Sequence, residues 1–306
     1  MGFLNKIVVL MLVMNSIVSA QVVKLDLQGI LDIVIFEGSP VYLNQHGDVY
    51  IAKEGTFARM NVPDRMIQLA TGHNSLYLLR EDGSVWQHNQ QGLKLLERDL
   101  PTRQMLVYGN RLYLLRNMGA LSCIENGRPR MLLTGHQYTT MSRAGNQIFL
   151  TDGWGRVYRY DTYVDFLEMI DPTPDTVQIA SADSVLFSLK KNGKVFKYED
   201  MQFYPLVYDS RITNIETNGQ YLYFSNQAGQ IYELNLAVER MDTLNVEIQP
   251  EFMRWIDDRL YISEKGGYLY EYKPLARRHR IQVNFHRLYS PTIQPMRHGF
   301  GNTRGF

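Results

Sequence analysis

A glycine that recurs at nearly constant spacing is the feature of this sequence that most constrains its fold. The seven positions are Gly47, Gly83, Gly119, Gly155, Gly193, Gly229 and Gly267. Successive positions differ by 36 or 38 residues, and an aliphatic residue stands two positions after every one of them. The next residue is aromatic in six units and Ser122 in the other. A period of this length indicates that one supersecondary unit is copied seven times.

Two further columns lie upstream of the glycines. The first is aromatic and consists of Tyr42, Tyr77, Tyr113, Phe149, Phe187, Tyr223 and Tyr261. The second stands eight residues earlier, is apolar, and consists of Val34, Leu69, Met105, Met141, Ile179, Ile215 and Met253. Each unit therefore predicts four short strands, with the glycine in the turn between the second and the third. Turns such as Glu81-Asp82-Gly83 are typical of tight hairpins, because they need a residue that tolerates positive φ.

This pattern predicts an all-β protein, a seven-bladed β-propeller of four-stranded antiparallel blades. Apolar residues on both faces of each strand require that every small sheet be covered on two sides, which radial stacking of blades provides. A solenoid would have a shorter period, and a helical array would show a 3.6-residue periodicity that is absent here. A β-sandwich would not repeat seven times. The hydrophobic fraction of 45% supplies enough apolar area for such a core.

Closure of the ring has two candidate strands in the sequence. An unpaired edge strand invites aggregation, so the last blade needs a fourth strand. Residues 22–27 fit the required register by counting back from the first unit, and residues 281–285 fit it nearly as well at the other end. The sequence leaves both alternatives open.

The first twenty residues have the layout of a secretory signal peptide. Lys6 precedes an apolar run over residues 7–14, and small residues at 18–20 form a cleavage site. We therefore expect a signal peptide at 1–20, a propeller at 21–285 and a basic tail at 286–306. The mature chain is expected to be exported, whether secreted, periplasmic or at the cell surface, and to lack a transmembrane segment, because no later stretch reaches spanning length.

One unit resembles a known repeat family. Residues 76–86 end in Gly83-Ser84-Val85-Trp86, and this Gly-x-Val-Trp strand is similar to that of a tectonin repeat. The similarity in repeat pattern extends over residues 33–272, with Tyr or Phe at most of the other tryptophan positions. Tectonin-like propellers are binding modules, often for carbohydrate or lipid headgroups, so the resemblance implies a binding function.

Linear motifs for catalysis are absent from the sequence. It contains no His-Glu-x-x-His pair and no Gly-x-Ser-x-Gly elbow, and the repeated glycines are spaced for hairpins and not for a phosphate loop. The single cysteine, Cys123, excludes an intramolecular disulfide and is predicted to be a small, partly exposed strand residue. We expect no cofactor and no metal site, and the sequence leaves open whether the protein is an enzyme.

Four residues are predicted to bind a ligand. Trp154 precedes a turn glycine where other units carry mostly polar residues, and an exposed aromatic ring on a tight turn is suited to stack on a sugar or to anchor a partner. The other three predicted ligand-binding residues are Trp255, Arg116 and Arg143.

The C-terminal tail differs from the rest of the chain in charge. From residue 272 onward it contains no Asp or Glu, but it carries Lys273, Arg277, Arg278, Arg280, Arg287, Arg297 and Arg304. Since the whole chain has a net charge of +1, these seven cations leave −6 for the remainder. Arg277, Arg278, Arg280, Arg287 and Arg297 are therefore predicted to bind an anionic lipid, polysaccharide or acidic protein. Export argues against nucleic acid as the partner.

Together these features predict an exported, non-enzymatic propeller that holds a protein or glycan partner through loops at one rim. Rim loops suit this role because a rigid scaffold positions them. Two alternatives remain open at this point. One is a propeller hydrolase or lyase with its site at the mouth of the axis, and the other is a structural subunit of an extracytoplasmic assembly.

Overall fold

A closed ring of seven four-stranded antiparallel sheets makes up this protein. The structure is a computed structural model that describes residues 22–274 except 54–55, 73, 184 and 209–210. Within these ranges 28 strands form the seven sheets, and neighbouring inner strands contact one another around the whole ring, including β2 (Ile30–Phe36) with β26 (Pro250–Ile256). The predicted seven-bladed β-propeller is confirmed.

Six blades run in chain order from the inner strand to the outer strand. Blade 1 contains β2, β3 (Ser39–Asn44), β4 (Val49–Lys53) and β5 (Thr56–Arg59). Blade 2 contains β6 (Met66–Gly72), β7 (Ser75–Arg80), β8 (Val85–Asn89) and β9 (Gly92–Glu97). Blade 3 contains β10 (Thr102–Tyr108), β11 (Arg111–Arg116), β12 (Leu121–Glu125) and β13 (Arg128–Leu133).

The next three blades repeat this order. Blade 4 contains β14 (Tyr138–Ala144), β15 (Gln147–Asp152), β16 (Val157–Asp161) and β17 (Phe166–Asp171). Blade 5 contains β18 (Thr176–Ala182), β19 (Val185–Lys190), β20 (Val195–Glu199) and β21 (Gln202–Val207). Blade 6 contains β22 (Ile212–Thr217), β23 (Tyr221–Asn226), β24 (Gln230–Asn235) and β25 (Arg240–Glu247).

The N-terminal strand closes the ring. Blade 7 consists of β26, β27 (Arg259–Glu264), β28 (Tyr268–Tyr272) and, as its outer strand, β1 (Val22–Gln28), which pairs antiparallel with β28. Of the two strands that the sequence left open, the N-terminal one therefore takes the outer position. The alternative at 281–285 lies outside the described residues. Pairing the first strand with the last blade ties the two ends of the propeller together, so the ring needs no disulfide.

The core is divided among the interfaces between blades. Seven clusters of buried apolar side chains each occupy one junction between adjacent blades. At the junction of blades 7 and 1, for example, Ile30, Ile33 and Tyr42 pack against Tyr261 and Leu269. Each sheet is thus buried on both faces, as the apolar columns of the sequence indicate.

The repeat glycine fixes the contact between one blade and the next. Gly119 has a φ of +83°, and a Cβ atom placed on it would lie 2.4 Å from the Cα of Gln137. Its carbonyl oxygen accepts a hydrogen bond from the N–H of Tyr138, at the start of the next inner strand, over 3.3 Å. Only glycine combines this backbone conformation with so close an approach. We call the side of the ring that carries these turns the upper face, and the opposite side the lower face.

The strand register corrects two columns of the sequence analysis in the first unit. Val41 pairs with Ile51 just as Tyr77 pairs with Gln87, whereas Tyr42 pairs with Tyr50 just as Leu78 pairs with Trp86. Val41 therefore occupies the aromatic column, which is aromatic in six units and not in seven. The apolar column shifts with it, so its first member is the fully buried Ile33 and not Val34.

Candidate functional site

The inner strands share an irregularity in their pairing with the second strand of each blade. In each of the seven, the pairing register shifts between the first and third residues of the strand, as between Met66 and Gln68. Such a β-bulge re-aims the local side chains and strengthens the twist. The third residue of the inner strand is consequently placed to reach the neighbouring blade.

In three blades the third residue is a glutamine that clamps the next blade. Gln104 accepts a hydrogen bond from Met141 N–H over 2.7 Å and donates one to its carbonyl oxygen over 2.8 Å. The amide of Gln68 makes the same pair of bonds with Met105. Gln178 does so with Ile215, over 3.1 and 2.9 Å. A side-chain amide suits this position because it supplies both a donor and an acceptor to one backbone residue.

The repeat breaks two residues further along the inner strands, near the seam where the ring closes. The equivalent residues are Val34, Ala70, Leu106, Ser142, Ala180, Glu216 and Arg254. Only blades 6 and 7 carry charges at this position. Because the other five blades carry an uncharged residue here, these two charges mark the part of the axis that differs in chemistry.

Glu216 and Arg254 form a group of charges with Asp32, which we call the axial charge cluster. The side chain of Asp32 is 3% exposed, and its two oxygens accept hydrogen bonds from Ile33 N–H over 2.9 Å and Leu69 N–H over 2.8 Å. One Arg254 Nη atom lies 3.3 Å from Asp32 Oδ1. Glu216 Oε1 accepts a hydrogen bond from Trp255 N–H over 3.0 Å. The cluster thus joins blades 6, 7 and 1.

Burial governs the protonation of this cluster. Loss of hydration raises the pKa of Glu216 to about 7, although Arg254 and the Trp255 N–H act in the opposite direction. Burial also raises the pKa of Asp32, against the influence of Arg254. The two carboxylates in turn raise the pKa of Arg254, Asp32 more strongly. An arginine stays charged under these conditions, whereas a carboxylate with a pKa near 7 exchanges its proton at neutral pH.

A cavity of about 800 Å³ lies on the same side of the axis. Its walls come from the inner strands of blades 3 to 7, and its lining is mostly polar, with Ser142, Gln178, Asn214, Glu216, Glu251 and Arg254 among the contributors. The side chain of Arg254 is 43% accessible, and this accessible part borders the cavity. Its size falls within the range of sites that hold small ligands or a few residues of a peptide.

Trp154 lies on the upper face, in a turn that is bonded to the strand next to the cavity. It is 66% exposed on the turn between β15 and β16, and the guanidinium of Arg156 lies 4.4 Å from its ring centre. Gly155 follows it and accepts a hydrogen bond from Thr176 N–H over 3.1 Å. The next residue, Val177, is 52% exposed and lines the cavity. The turn of Trp154 therefore adjoins the upper rim of the cavity.

Trp255 lines the cavity, and its half-buried ring packs against the core between blades 6 and 7. The ring stacks on Tyr223, with the centres 5.5 Å apart and the planes 10° from parallel. Its backbone N–H holds Glu216, as described above. The structure therefore brings two of the four predicted residues, Trp154 and Trp255, to the cavity or its rim.

Arg116 is buried in a different place and is fully engaged by the protein. Its guanidinium donates hydrogen bonds to Ser122 Oγ, the Leu100 carbonyl and Thr102 Oγ1 over 2.6 to 2.9 Å, and it lies 3.3 Å from Glu97. Burial lowers its pKa. The equivalent residue of every blade, three before the repeat glycine, is polar, as in Asn44, Arg80, Arg116, Asp152, Lys190, Asn226 and Glu264. Arg116 thus anchors a turn of the upper face.

Arg143 lies near the lower end of β14. It is exposed, and its guanidinium stacks 4.5 Å from the ring centre of Tyr108 in the neighbouring blade. The structure does not group it with Trp154, Arg116 or the axial charge cluster. Cys123 corrects an expectation: it is 1% exposed and packs in the cluster between blades 3 and 4, and burial raises the pKa of its thiol.

Some predicted features lie outside the described residues, and for others the described residues give only a partial answer. Two predicted features lie outside the described residues: the signal peptide at 1–20 and the tail arginines Arg277, Arg278, Arg280, Arg287 and Arg297. In the described ranges no group of three His, Cys, Asp or Glu residues is arranged to hold a metal ion. The same part of the chain contains no helix with the length and apolarity needed to span a membrane.

The fold and the cavity define the class of protein as a seven-bladed β-propeller with an axial site. No protein-family model matches the chain, and no curated protein sequence is similar to it. The fold is similar to several solved propellers, each of low sequence identity, so the likeness concerns the fold alone. It gives no support to the tectonin-like family in particular.

Three of these structures illustrate the similarity. BamB from Moraxella catarrhalis is 12% identical, with a TM-score of 0.62 over 82% of this chain and 85% of that one. YCF48 from Cyanidioschyzon merolae is 11% identical, with a TM-score of 0.68 over 83% and 99%, and a YCF48 structure is also known bound to D1 peptide. Virginiamycin B lyase from Staphylococcus aureus is 16% identical, with a TM-score of 0.64 over 83% and 99%.

Proposed function

We propose that this protein is an exported, non-catalytic propeller that binds a protein partner at the axial cavity and its upper rim. The observation that carries the proposal is the break in sevenfold repetition at Glu216 and Arg254, beside a cavity of about 800 Å³. A scaffold needs no charge at this position, since five blades do without one. Function in repeat folds resides in such grafted sites and not in the fold.

Several features support a protein partner over a glycan. Arg156 lies against the ring of Trp154, and the ring of Trp255 stacks on Tyr223, so both aromatic rings already have a protein neighbour. The cavity wall offers amide, hydroxyl and charged groups suited to a peptide backbone and its side chains. The complex of YCF48 with D1 peptide shows that a propeller of this shape binds a peptide in that protein.

Export and the basic tail belong to the same proposal. The charge and apolar pattern of residues 1–20 supports export. The arginines of the tail, Arg277, Arg278, Arg280, Arg287 and Arg297, supply a second contact with an anionic part of the partner or of a surface. Deletion of residues 275–306, which removes all five arginines, tests this part: unchanged affinity for anionic vesicles and for the partner would remove the tail from the binding surface.

Selection of peptide ligands tests the main proposal. The chain from residue 21 onward is presented to a random peptide library, and enriched peptides are measured against two variants. Thr213→Trp fills the upper part of the cavity from an exposed position, whereas Thr243→Trp adds the same bulk to an exposed position on the outer strand of the same blade. We expect Thr213→Trp to weaken binding at least tenfold and Thr243→Trp to leave it unchanged. Equal affinity of both variants would contradict the proposal.

A further inference from the structure

Glu216 is a partly buried carboxylate without an ion pair among the described residues. Among the described residues its only hydrogen bond comes from Trp255 N–H, and no cation lies within the 4.0 Å of an ion pair. The neighbouring cation, Arg254, approaches Asp32 instead, at 3.3 Å. Burying a carboxylate costs free energy unless its charge is paired or neutralised. The second oxygen of Glu216 therefore has no hydrogen-bond or ion-pair partner among the described residues.

The charges around the cavity leave it acidic. The strands packed beside Glu216 are β18, which carries no titratable residue, and β26, which contributes Glu251 and Arg254. The other neighbours are the tyrosines of β23 and, on β19, Lys190, which is paired with Asp171 at 2.5 Å. Asp32 faces Arg254 from β2. Among the described residues that line the cavity, there are thus two carboxylates, Glu216 and Glu251, and one cation, Arg254.

The walls suit an extended chain with a long side chain. Gln178, Asn214, Ser142 and Ser181 offer donors and acceptors for a peptide backbone, while the aliphatic side chain of Val177 lies at the upper rim. A lysine or arginine buries its methylene stem along apolar surface and carries its charge to the end of the stem. Glu216 stands three residues further along β22 than Thr213 in the upper part of the cavity, which is about 10 Å. The backbone of the entering segment must therefore lie inside the cavity for such a side chain to place its cation beside Glu216.

We infer that the axial cavity receives a lysine or arginine side chain from an extended segment of the partner, with the carboxylate of Glu216 as its counter-charge. This inference rests on the proposed function, because it specifies the chemistry of the partner at the same site. The ion pair of Asp32 with Arg254 stays intact, and the entering cation forms a second ion pair with Glu216. The cavity therefore discriminates between partners by charge.

Synthetic peptides of equal length test the inference without any variant. Ac-Gly-Gly-Lys-Gly-Gly-NH2 is compared with peptides that carry norleucine or glutamate at the centre, and binding is followed by the NMR shift of the Trp255 indole N–H. We expect the lysine peptide to bind at least tenfold more tightly than the norleucine peptide and the glutamate peptide to bind most weakly. Equal affinities, or no binding of the lysine peptide at millimolar concentration, would overturn the inference.

Two variants assign the effect to one carboxylate. Glu216→Gln keeps the acceptor for Trp255 N–H and removes the charge, so it is expected to reduce the preference for lysine over norleucine to less than twofold. Glu81→Gln, on an exposed turn of the upper face with 65% of its side chain accessible, is expected to preserve it. A full preference in Glu216→Gln would also overturn the inference. The library result with Thr213→Trp stays independent of these outcomes, so failure here and failure of the proposed function are distinguishable.

Discussion

Asp32 in the first blade accepts a hydrogen bond from the backbone N–H of Leu69 in the second, over 2.8 Å, while Arg254 of the seventh blade lies 3.3 Å from its other oxygen. One carboxylate therefore links three consecutive blades at the seam where the ring closes. In blades 2, 3 and 5 the same position is glutamine, which clamps the next blade through an uncharged amide. The charge is specific to the seam.

Replacing Asp32 is expected to weaken the seam. Asp32→Ala leaves the Leu69 N–H without its acceptor and Arg254 without its nearest counter-charge, and such losses cost about 2–4 kcal/mol. Denaturant unfolding followed by circular dichroism measures the change. Asp99→Ala, at an exposed position between blades 2 and 3, serves as the control and should change stability by less than about 0.5 kcal/mol. A loss no larger than that of the control would show that the link contributes little.

Two glycines allow the cost of backbone strain to be measured separately from the cost of a clash between blades. Gly119 and Gly127 both have positive φ, at +83° and +74°, but a Cβ on Gly119 would lie 2.4 Å from Gln137 whereas one on Gly127 would meet nothing within 4 Å. Gly127→Ala is expected to cost about 1 kcal/mol from strain alone. Gly119→Ala should cost at least about 2 kcal/mol more, because the next inner strand must move. Equal losses in thermal unfolding would argue against this tight contact.

The protonation of Glu216 predicts a dependence of stability on pH. Its pKa rises from the usual 4.5 to about 7 on folding, so the stability gained from holding the proton is complete below pH 4.5 and is lost as the pH rises through 7. Glu216→Gln cannot ionise and should gain stability relative to the unaltered protein, by about 1–3 kcal/mol between pH 5 and pH 8. Glu251→Gln removes an exposed carboxylate from the same cavity and is the control. A stability difference for Glu216→Gln that is constant over this range would contradict the account.

The exposed ring of Trp154 is expected to matter for binding and not for folding. Trp154→Ala should change the unfolding free energy by less than about 1 kcal/mol, since the ring is 66% exposed. Affinity for peptides selected from the library should fall several-fold, as measured by calorimetry. Phe166→Ala removes a ring with 59% exposure from the outer strand of the same blade and should leave affinity unchanged. Unaltered affinity for Trp154→Ala would remove that turn from the site.

The repeat made the fold predictable because each blade needs the same turn and the same buried columns. The glycines, the apolar residues two positions after them and the aromatic column together specify four strands per blade and seven blades. The error in the first unit has a simple cause: Val41-Tyr42-Leu43 resembles the Leu-Tyr-Leu of other blades. Tyr42 stands five residues before its glycine, however, and Tyr77 stands six before its own. The distance from the repeat glycine therefore indicates the correct register, whereas the residue type does not.

A correct alignment of the seven units would have predicted the residues of the axial charge cluster. Once Ile33 heads the apolar column, the residue before each member is polar in six blades, from Asp32 to Asn214, and Phe252 is the exception. The residue after each member is charged in blades 6 and 7 alone, where it is Glu216 and Arg254. The sequence does not indicate how deeply a side chain is buried, because burial depends on packing across blades. This is why Arg116 and Arg143 were predicted to bind a ligand although the structure places them away from the cavity. Residue type alone therefore placed two of the four predicted ligand-binding residues near the cavity.

Photo-crosslinking tests most directly whether the partner enters the axial cavity. A p-benzoylphenylalanine is placed at Val177, which is 52% exposed on the upper rim, or at Val238, which is 67% exposed on a turn of the lower face. Each protein is irradiated with a selected peptide, and the products are mapped by mass spectrometry. Our account predicts crosslinks from position 177 and none from position 238. Crosslinks from position 238 alone would place the binding surface elsewhere and contradict it.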